Sequence, residues 1–214
     1  MDPTQPVLQV RHLHFSHPHR VLWQDWSANL GAGVTLLRGG DGSGKTTLLR
    51  LLAGDLAPQQ GTLVLRGVDG AINPDGYRQQ VFWQDPRARA LHALSGQQWL
   101  ATLPARYPAW DASALGAHVQ GWGLAAHLEK PLHQLSSGTQ RKLLMAAALA
   151  SGAALTLIDE PIAGLDRPSI LYLQQALTRA AQSPQRALVV AHYERLEGVP
   201  WSAVIDLPDG CDGA

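Results

Sequence analysis

The chain has 214 residues, enough for one substantial domain, and 45% of them are hydrophobic, which is ordinary for a globular protein. Its 17 basic and 17 acidic residues give a formal net charge of +0, which offers no electrostatic support for binding to nucleic acid or to an anionic membrane surface. Cys211 is the only cysteine, so an intrachain disulfide is excluded and a reducing compartment is favoured.

No segment is predicted to direct secretion or to cross a membrane. Residues 1–6 lack the basic region and the apolar core of a secretory signal. The longest apolar run, from Leu143 to Ile158, is interrupted by Ser151 and Gly152 and is shorter than a membrane span of about 20 residues. We therefore expect a soluble protein, which would reach a membrane only by holding a partner.

The N-terminal part predicts two strands. Apolar and polar residues alternate from Val7 to Phe15, and a second strand is expected within Val21 to Leu30. Histidines 12, 14, 17 and 19 lie in this region, and residues two apart share a strand face, so a metal site is one interpretation. No carboxylate or cysteine joins them, and we favour ordinary surface histidines.

The stretch from Gly39 to Thr46 fits G-x-x-x-x-G-K-[ST], the phosphate-binding loop. A predicted buried strand at 34–37 precedes it and a predicted helix at 47–53 follows it, as the motif requires. Its glycines allow successive N–H groups to cradle phosphate oxygens, Lys45 adds a full positive charge, and the Thr46 hydroxyl can ligate Mg²⁺. A glycine-rich turn with an incidental lysine is the weaker interpretation. The nucleotide-binding residues predicted here are Gly39, Gly40, Asp41, Gly42, Ser43, Gly44, Lys45, Thr46 and Thr47.

The middle of the chain predicts strands at 62–67 and around 81–83, the second ended by Pro86, and then a helical insertion. Apolar residues recur at helical spacing from Leu94 to Leu103 and from Ala114 to Leu128. The tryptophans at 99, 110 and 122 are expected to fill the core of this insertion. The alternative for them is an aromatic groove that docks a partner.

The last third alternates helices and strands: a helix at 140–150 capped by Ser136, a strand at 155–158, a helix at 169–181, a strand at 187–191 and a final strand at 201–207. This alternation predicts an α/β fold with a mostly parallel sheet. Asp159 and Glu160 follow a buried strand, where phosphate-binding-loop proteins place the acidic residue that holds Mg²⁺. Asp159 fits that role, and Glu160 could polarise an attacking water.

Taken together, the motifs resemble those of ATP-binding cassette (ABC) ATPases, the nucleotide-binding subunits of membrane transporters, over nearly the whole chain. The family's order is kept: Gly39 to Thr46 resembles Walker A, Gln84 the Q-loop glutamine, Leu135 to Thr139 the LSGGQ signature, Leu155 to Glu160 Walker B, Ala163 to Asp166 the D-loop, and His192 the switch histidine.

The resemblance implies one nucleotide-binding domain over 1–214. Its fold would be that of a P-loop NTPase with a mostly parallel central sheet, an N-terminal antiparallel β subdomain and an inserted α-helical subdomain at 90–137. It implies ATP and Mg²⁺ as cofactors. It also implies catalytic roles for Glu160, His192 and Gln84, magnesium ligands at Thr46, Gln84 and Asp159, and a D-loop role for Asp166.

The resemblance further implies that one chain cannot complete the reaction. The signature residues Ser136, Ser137, Gly138 and Thr139 of one subunit would face the ATP of a second ABC subunit, identical or paralogous, so that ATP joins the two. An integral membrane permease is the other expected partner, nucleic acid is not, and the expected place is the cytoplasmic face of the cell membrane.

Three departures from the family pattern bear on these expectations. Ser137 and Thr139 replace a glycine and a glutamine of the signature. Asp41 puts a carboxylate in the phosphate loop, where it must point away from the phosphates. The adenine-stacking aromatic is expected at His17, with Phe15 as the alternative.

The insertion also bears on the subfamily. Arg106 to Asp111, followed by Gly123-Leu124, resembles small ATPases that serve exporter-type permeases. Trp83 is either a residue of the groove that receives a permease loop or a core residue. Two other functions stay open: a non-transport ABC clamp for DNA repair or translation, and a low-turnover nucleotide-dependent regulator.

Overall fold

The computed structural model describes residues 5–85 and 93–208, and in these ranges the chain forms two sheets. The strands are β1 (Leu8–His17), β2 (Arg20–Leu30), β3 (Gly33–Arg38), β4 (Gln60–Leu65), β5 (Val68–Asp69), β6 (Val81–Phe82), β7 (Leu155–Asp159), β8 (Ala187–His192) and β9 (Trp201–Asp206). An antiparallel sheet has the order β2-β1-β4-β5, and a parallel sheet has the order β6-β7-β8-β3-β9. The predicted α/β class with a parallel central sheet and an N-terminal antiparallel sheet is confirmed.

The helices are α1 (Lys45–Leu52), α2 (Pro74–Arg78), α3 (Gly96–Arg106), α4 (Ala112–Gly121), α5 (Ser137–Ala150) and α6 (Arg167–Ala180), with 3-10 turns at Ala125–His127 and Leu132–Gln134. Side chains cap most of them. Ser95 and Gln98 form a capping box on α3, and Asp111, Ser136 and Asp166 cap α4, α5 and α6. None of the helices within the described ranges is long and apolar enough to span a membrane.

The core has two parts, one on each face of the parallel sheet. Every residue of β7 and β8 is buried, as expected for parallel strands covered on both faces. Alternate residues face opposite sides. Leu157 and Val189 pack with α1 and the antiparallel sheet, whereas Ile158 and Val190 pack with α5, α6 and the helical segment, which comprises α3, α4 and the two 3-10 turns. The antiparallel sheet and the helical segment therefore lie against different faces of the parallel sheet.

The helical segment corrects one prediction and settles another. The helix predicted from Ala114 to Leu128 is wrong in its second half: α4 ends at Gly121, and Gly123, with φ +64°, turns the chain into a 3-10 turn. Trp99 and Trp122 are buried in the core, and Trp110 packs partly buried against them, so the core role is the correct one for these residues. Residues 90–92 of the predicted subdomain, like Pro86 and Cys211, lie outside the described residues.

Two further predictions concern Trp83 and the N-terminal histidines. Trp83 is half-buried and packs against the core around α1. Nδ1 of His12 lies 2.6 Å from Oδ1 of Asp25 in an exposed pair. In the described part of the chain, no group of three or more His, Cys, Asp or Glu residues is arranged to hold a metal ion.

Candidate functional site

The carboxyl ends of the central strands bring the predicted residues to one edge of the parallel sheet. Arg38, the last residue of β3, lies beside His192 at the end of β8, and Asp159 at the end of β7 lies beside Ala191. The phosphate loop follows β3 directly and ends where α1 begins at Lys45. Residues far apart in sequence, from 39 to 192, therefore meet at this edge because the strands are parallel and adjacent.

Gly44 shows why the loop needs glycine at this point. It precedes α1 with φ +95°, and a Cβ on it would lie 2.9 Å from the ring of Trp23. Any residue larger than glycine at position 44 is disfavoured by the backbone conformation and by the close contact with Trp23. The loop thus packs tightly against β2, and its residues 40–47 line the cavity in front of α1.

Lys45 holds the loop to the strand edge. Its side chain is 7% exposed, and Nζ donates to the carbonyls of Gly39, at 2.8 Å, and Gly40, at 3.0 Å. Nζ also lies 3.1 Å from Oε1 of Glu160. The buried ammonium is therefore fixed at the centre of the site, with a carboxylate beside it.

Thr46, Asp159 and Gln84 present oxygen atoms suited to a hard cation. The Thr46 hydroxyl donates to Oδ2 of Asp159 at 2.6 Å, and Asp159 is buried. Gln84 and Asp159 line a small cavity of about 20 Å³ beside α5. Hydroxyl, carboxylate and amide oxygens fit Mg²⁺, and the residues present are compatible with that ion. Gln84 does not line the larger cavity in front of the phosphate loop.

Glu160 and His192 form a second pair at the same edge. Nδ1 of His192 lies 2.8 Å from Oε2 of Glu160, and the histidine is 1% exposed. Partial burial opposes ionisation of Glu160, but the hydrogen bonds and charges of His192 and Lys45 outweigh it and hold the pKa of this carboxyl below its usual value. Glu160 has φ +43°, an uncommon conformation for a residue with a side chain.

A cavity of about 270 Å³ opens in front of the loop. Its lining consists of residues 40–47, Glu160 and three residues of the β1–β2 hairpin, His17, Arg20 and Leu22. Phe15 is instead buried in the core, with its ring centroid 5.3 Å from that of His17. Of the two candidates for adenine stacking, His17 is therefore the one at the cavity. Asp41 is exposed and lines the cavity too.

The signature residues do not line this cavity. Ser136 caps α5: its Oγ accepts from the N–H of Thr139 at 3.2 Å and lies 2.9 Å from the Thr139 hydroxyl oxygen. Asp166 is also away from the cavity, where it caps α6 by accepting from the N–H of Ser169 at 2.9 Å. The structure thus brings together the Walker A, Walker B and switch residues of one chain, whereas the signature and the D-loop do not line the cavity.

The signature and the D-loop pack against each other. A Cβ on Gly138 would lie 2.3 Å from the carbonyl oxygen of Gly164, and the Arg141 guanidinium donates to the carbonyl of Ala163. Neither Arg141 nor Arg20 belongs to a motif identified in the sequence. Their placement depends on the packing of separate elements, for which the sequence offers no local signal.

Comparison with known proteins agrees with this geometry. The model of the ABC transporter family matches residues 24–163. The chain is 32% identical to the cytochrome c biogenesis ATP-binding export protein CcmA of Pseudomonas syringae pv. tomato, over 90% of this chain and 91% of that protein. It is 34% identical to the protein of the same name from Alkalilimnicola ehrlichii, over 91% of this chain and 84% of that protein.

Solved structures show the same fold. A putative ABC transporter ATP-binding protein from Pyrococcus furiosus superposes with a TM-score of 0.75 at 21% identity, covering 94% of this chain and 96% of that one. A bacterial ABC transporter cassette whose solved structure is dimeric superposes with a TM-score of 0.76 at 18% identity, covering 95% of both chains. The chain belongs to the ABC transporter family, as an ATP-hydrolysing subunit of such a transporter.

Proposed function

We propose that this subunit hydrolyses ATP at the phosphate-loop cavity and thereby energises a separate membrane permease. The observation that carries the proposal is the chain of contacts from Lys45 through Glu160 to the buried His192, in which the first two residues line the cavity. It places an ionised carboxylate next to the cation that would face the β- and γ-phosphates. Loop residues 39–47 would hold the phosphates, and His17 would stack on the adenine.

Each polar residue of the site then has a role. Glu160 would accept a proton from the attacking water, which its lowered pKa permits because the carboxylate stays ionised at neutral pH. His192 would hold Glu160 in place through Nδ1. Thr46, Asp159 and Gln84 would hold Mg²⁺, which supplies charge neutralisation for the transferred phosphoryl group. Binding of the phosphates would draw Lys45 from Glu160 towards the nucleotide and free the carboxylate for the water.

The signature residues would act on the ATP of a second subunit. They lie away from the cavity of their own chain, at the N-terminus of α5, where backbone N–H groups and the helix dipole favour a phosphate. Ser136, Ser137, Gly138 and Thr139 would therefore complete a site across a dimer interface, and Asp166 would lie in the same interface. ATP would bind two subunits together, and hydrolysis would release them.

The similarity to CcmA proteins supports a role in export during cytochrome c biogenesis. These relatives are named ATP-binding export proteins, and they match nearly the full length of this chain. The subunit would then work at the cytoplasmic face of the cell membrane, bound to its permease. A pull-down in detergent tests whether the subunit binds a permease. Recovery of an integral membrane protein supports the transporter role, and recovery of DNA or ribosomes without a membrane protein would support a clamp instead.

The catalytic assignment is tested by Glu160→Gln. The variant should bind ATP with unchanged affinity, lose hydrolysis by about a hundredfold or more, and accumulate as an ATP-bound dimer in size-exclusion chromatography. The exposed Glu129→Gln is the matched control and should retain the rate of the unmodified protein. Normal turnover by Glu160→Gln would show that another group activates the water.

A further inference from the structure

The β1–β2 hairpin places an arginine beside the phosphate loop. Arg20 pairs with His17 across the two-residue turn, and both side chains line the same cavity. Nη1 of Arg20 lies 3.8 Å from the position that a Cβ on Gly42 would occupy. The guanidinium therefore lies next to Gly42, on the cavity that the phosphate loop lines.

Among the residues that the structure describes, none pairs with this guanidinium. Arg20 makes no hydrogen bond or ion pair within residues 5–85 and 93–208, although it is only partly exposed. The arginines of the strand and the helix that flank the loop are engaged: Arg38 of β3 with Asp206, and Arg50 of α1 with Asp55. Arginine presents five donors in a planar fork that matches phosphate oxygens, and an unengaged one beside a phosphate loop is well suited to that partner.

The balance of charged side chains around the cavity also favours a second cation at the site. Its lining holds two carboxylates, Asp41 and Glu160, and two cations, Lys45 and Arg20. Lys45 already contacts Glu160, so Arg20 is the cation left to offset Asp41. Without it the lining would carry a net negative charge, which would repel a polyphosphate.

We propose that Arg20 is a phosphate-binding residue of the nucleotide site, which contacts the triphosphate from the hairpin side and offsets Asp41. The inference rests on the proposed function, because it needs ATP in this cavity. Arg20 lies outside all of the motifs of the site. It gives the β1–β2 hairpin a part in holding phosphates, in addition to the aromatic contact proposed for His17.

The test measures the affinity for trinitrophenyl-ATP from its fluorescence in the presence of Mg²⁺. The affinities for ATP and for inorganic tripolyphosphate are then measured by how well each displaces bound trinitrophenyl-ATP. Arg20→Gln should weaken ATP and tripolyphosphate by the same factor, about tenfold or more, as expected for a lost charge-assisted hydrogen bond. Arg20→Lys should lose less. Arg11→Gln, an exposed arginine of β1 away from the cavity, is the control and should bind normally.

A double substitution isolates the charge argument. Asp41→Asn added to Arg20→Gln should recover most of the lost affinity, whereas two independent sites would add their effects. Unchanged ATP affinity in Arg20→Gln would overturn the inference, and so would a loss confined to ATP with tripolyphosphate unaffected, since that would place Arg20 at the base. Absence of ATP binding in the unmodified protein would instead refute the proposed function.

Discussion

At the scale of single residues, the pair formed by Glu160 and His192 predicts a pH dependence. The pKa of Glu160 is below its usual value in the folded chain, so the carboxylate stays ionised, and its stabilising contacts persist, until the pH falls through that lowered pKa. Removal of the hydrogen bond in His192→Ala should raise this pKa and move the acid limb of the residual ATPase rate to higher pH. His192→Asn, whose amide can donate as Nδ1 does, should move it part of the way back.

The control for this experiment is His133→Ala, an exposed histidine of the helical segment, whose profile should match that of the unmodified protein. An acid limb in His192→Ala at the original pH would show that this hydrogen bond does not set the ionisation of Glu160.

The sequence predicted most of the residues at the sheet edge, because the Walker residues follow local patterns: a glycine-rich loop before a helix, and carboxylates after a buried strand. The structure brings Lys45, Thr46, Asp159 and Glu160 together as those patterns imply. His192, which was expected only from the family resemblance, contacts Glu160. Arg20 was not predictable, because its position depends on how a hairpin from one sheet packs on a loop from the other.

At the scale of elements, the contact between α5 and the segment before α6 predicts a difference between two glycine substitutions. Gly138→Ala would put a Cβ 2.3 Å from the Gly164 carbonyl, which is backbone and must move. We expect a loss of about 1–3 kcal/mol in the free energy of unfolding, together with reduced ATPase activity, because the signature shifts. Gly116→Ala in α4 meets nothing within 4 Å and should be neutral or slightly stabilising.

Urea unfolding of both variants measures this difference. ATP affinity of the isolated Gly138→Ala subunit should stay unchanged, because Gly138 does not line its own cavity. Equal stability of the two variants would mean that residues 161–166 can move to accommodate the Cβ without a loss of stability. The contact between Gly138 and the Gly164 carbonyl would then not hold the signature in position.

Helix and strand positions were predictable where the hydrophobic pattern was clear, as in α5, α6 and β8. The observed ends of these elements differ from the predicted ends by three residues or fewer. Short elements were not. The five residues of α2 begin at Pro74 and depend on the Asn73 side chain that accepts from the N–H of Gly76, so they contain too few turns for a period to emerge.

At the scale of the whole molecule, the fold class followed from the alternation of strands and helices, but the arrangement that matters for function did not. Which cavity each motif lines depends on the strand order β6-β7-β8-β3-β9 and on the length of the helical segment that carries α5 away from it. The separation of the signature from the cavity of its own chain is the observation that connects this architecture to assembly.

That separation leads to a complementation experiment. Lys45→Ala disables the phosphate loop, and Ser137→Glu places a carboxylate at the exposed N-terminus of α5, where the helix dipole tolerates it but a phosphate facing it would be repelled. Each variant alone should be nearly inactive. If the signature acts on the partner's ATP, a mixed dimer has one intact composite site, and random mixing should restore about a quarter of the unmodified ATPase activity.

A mixture of Lys45→Ala with the double variant Lys45→Ala/Ser137→Glu has no intact loop and should stay inactive. Activity of the first mixture no greater than the sum of its parts would mean that the signature does not complete a site in trans.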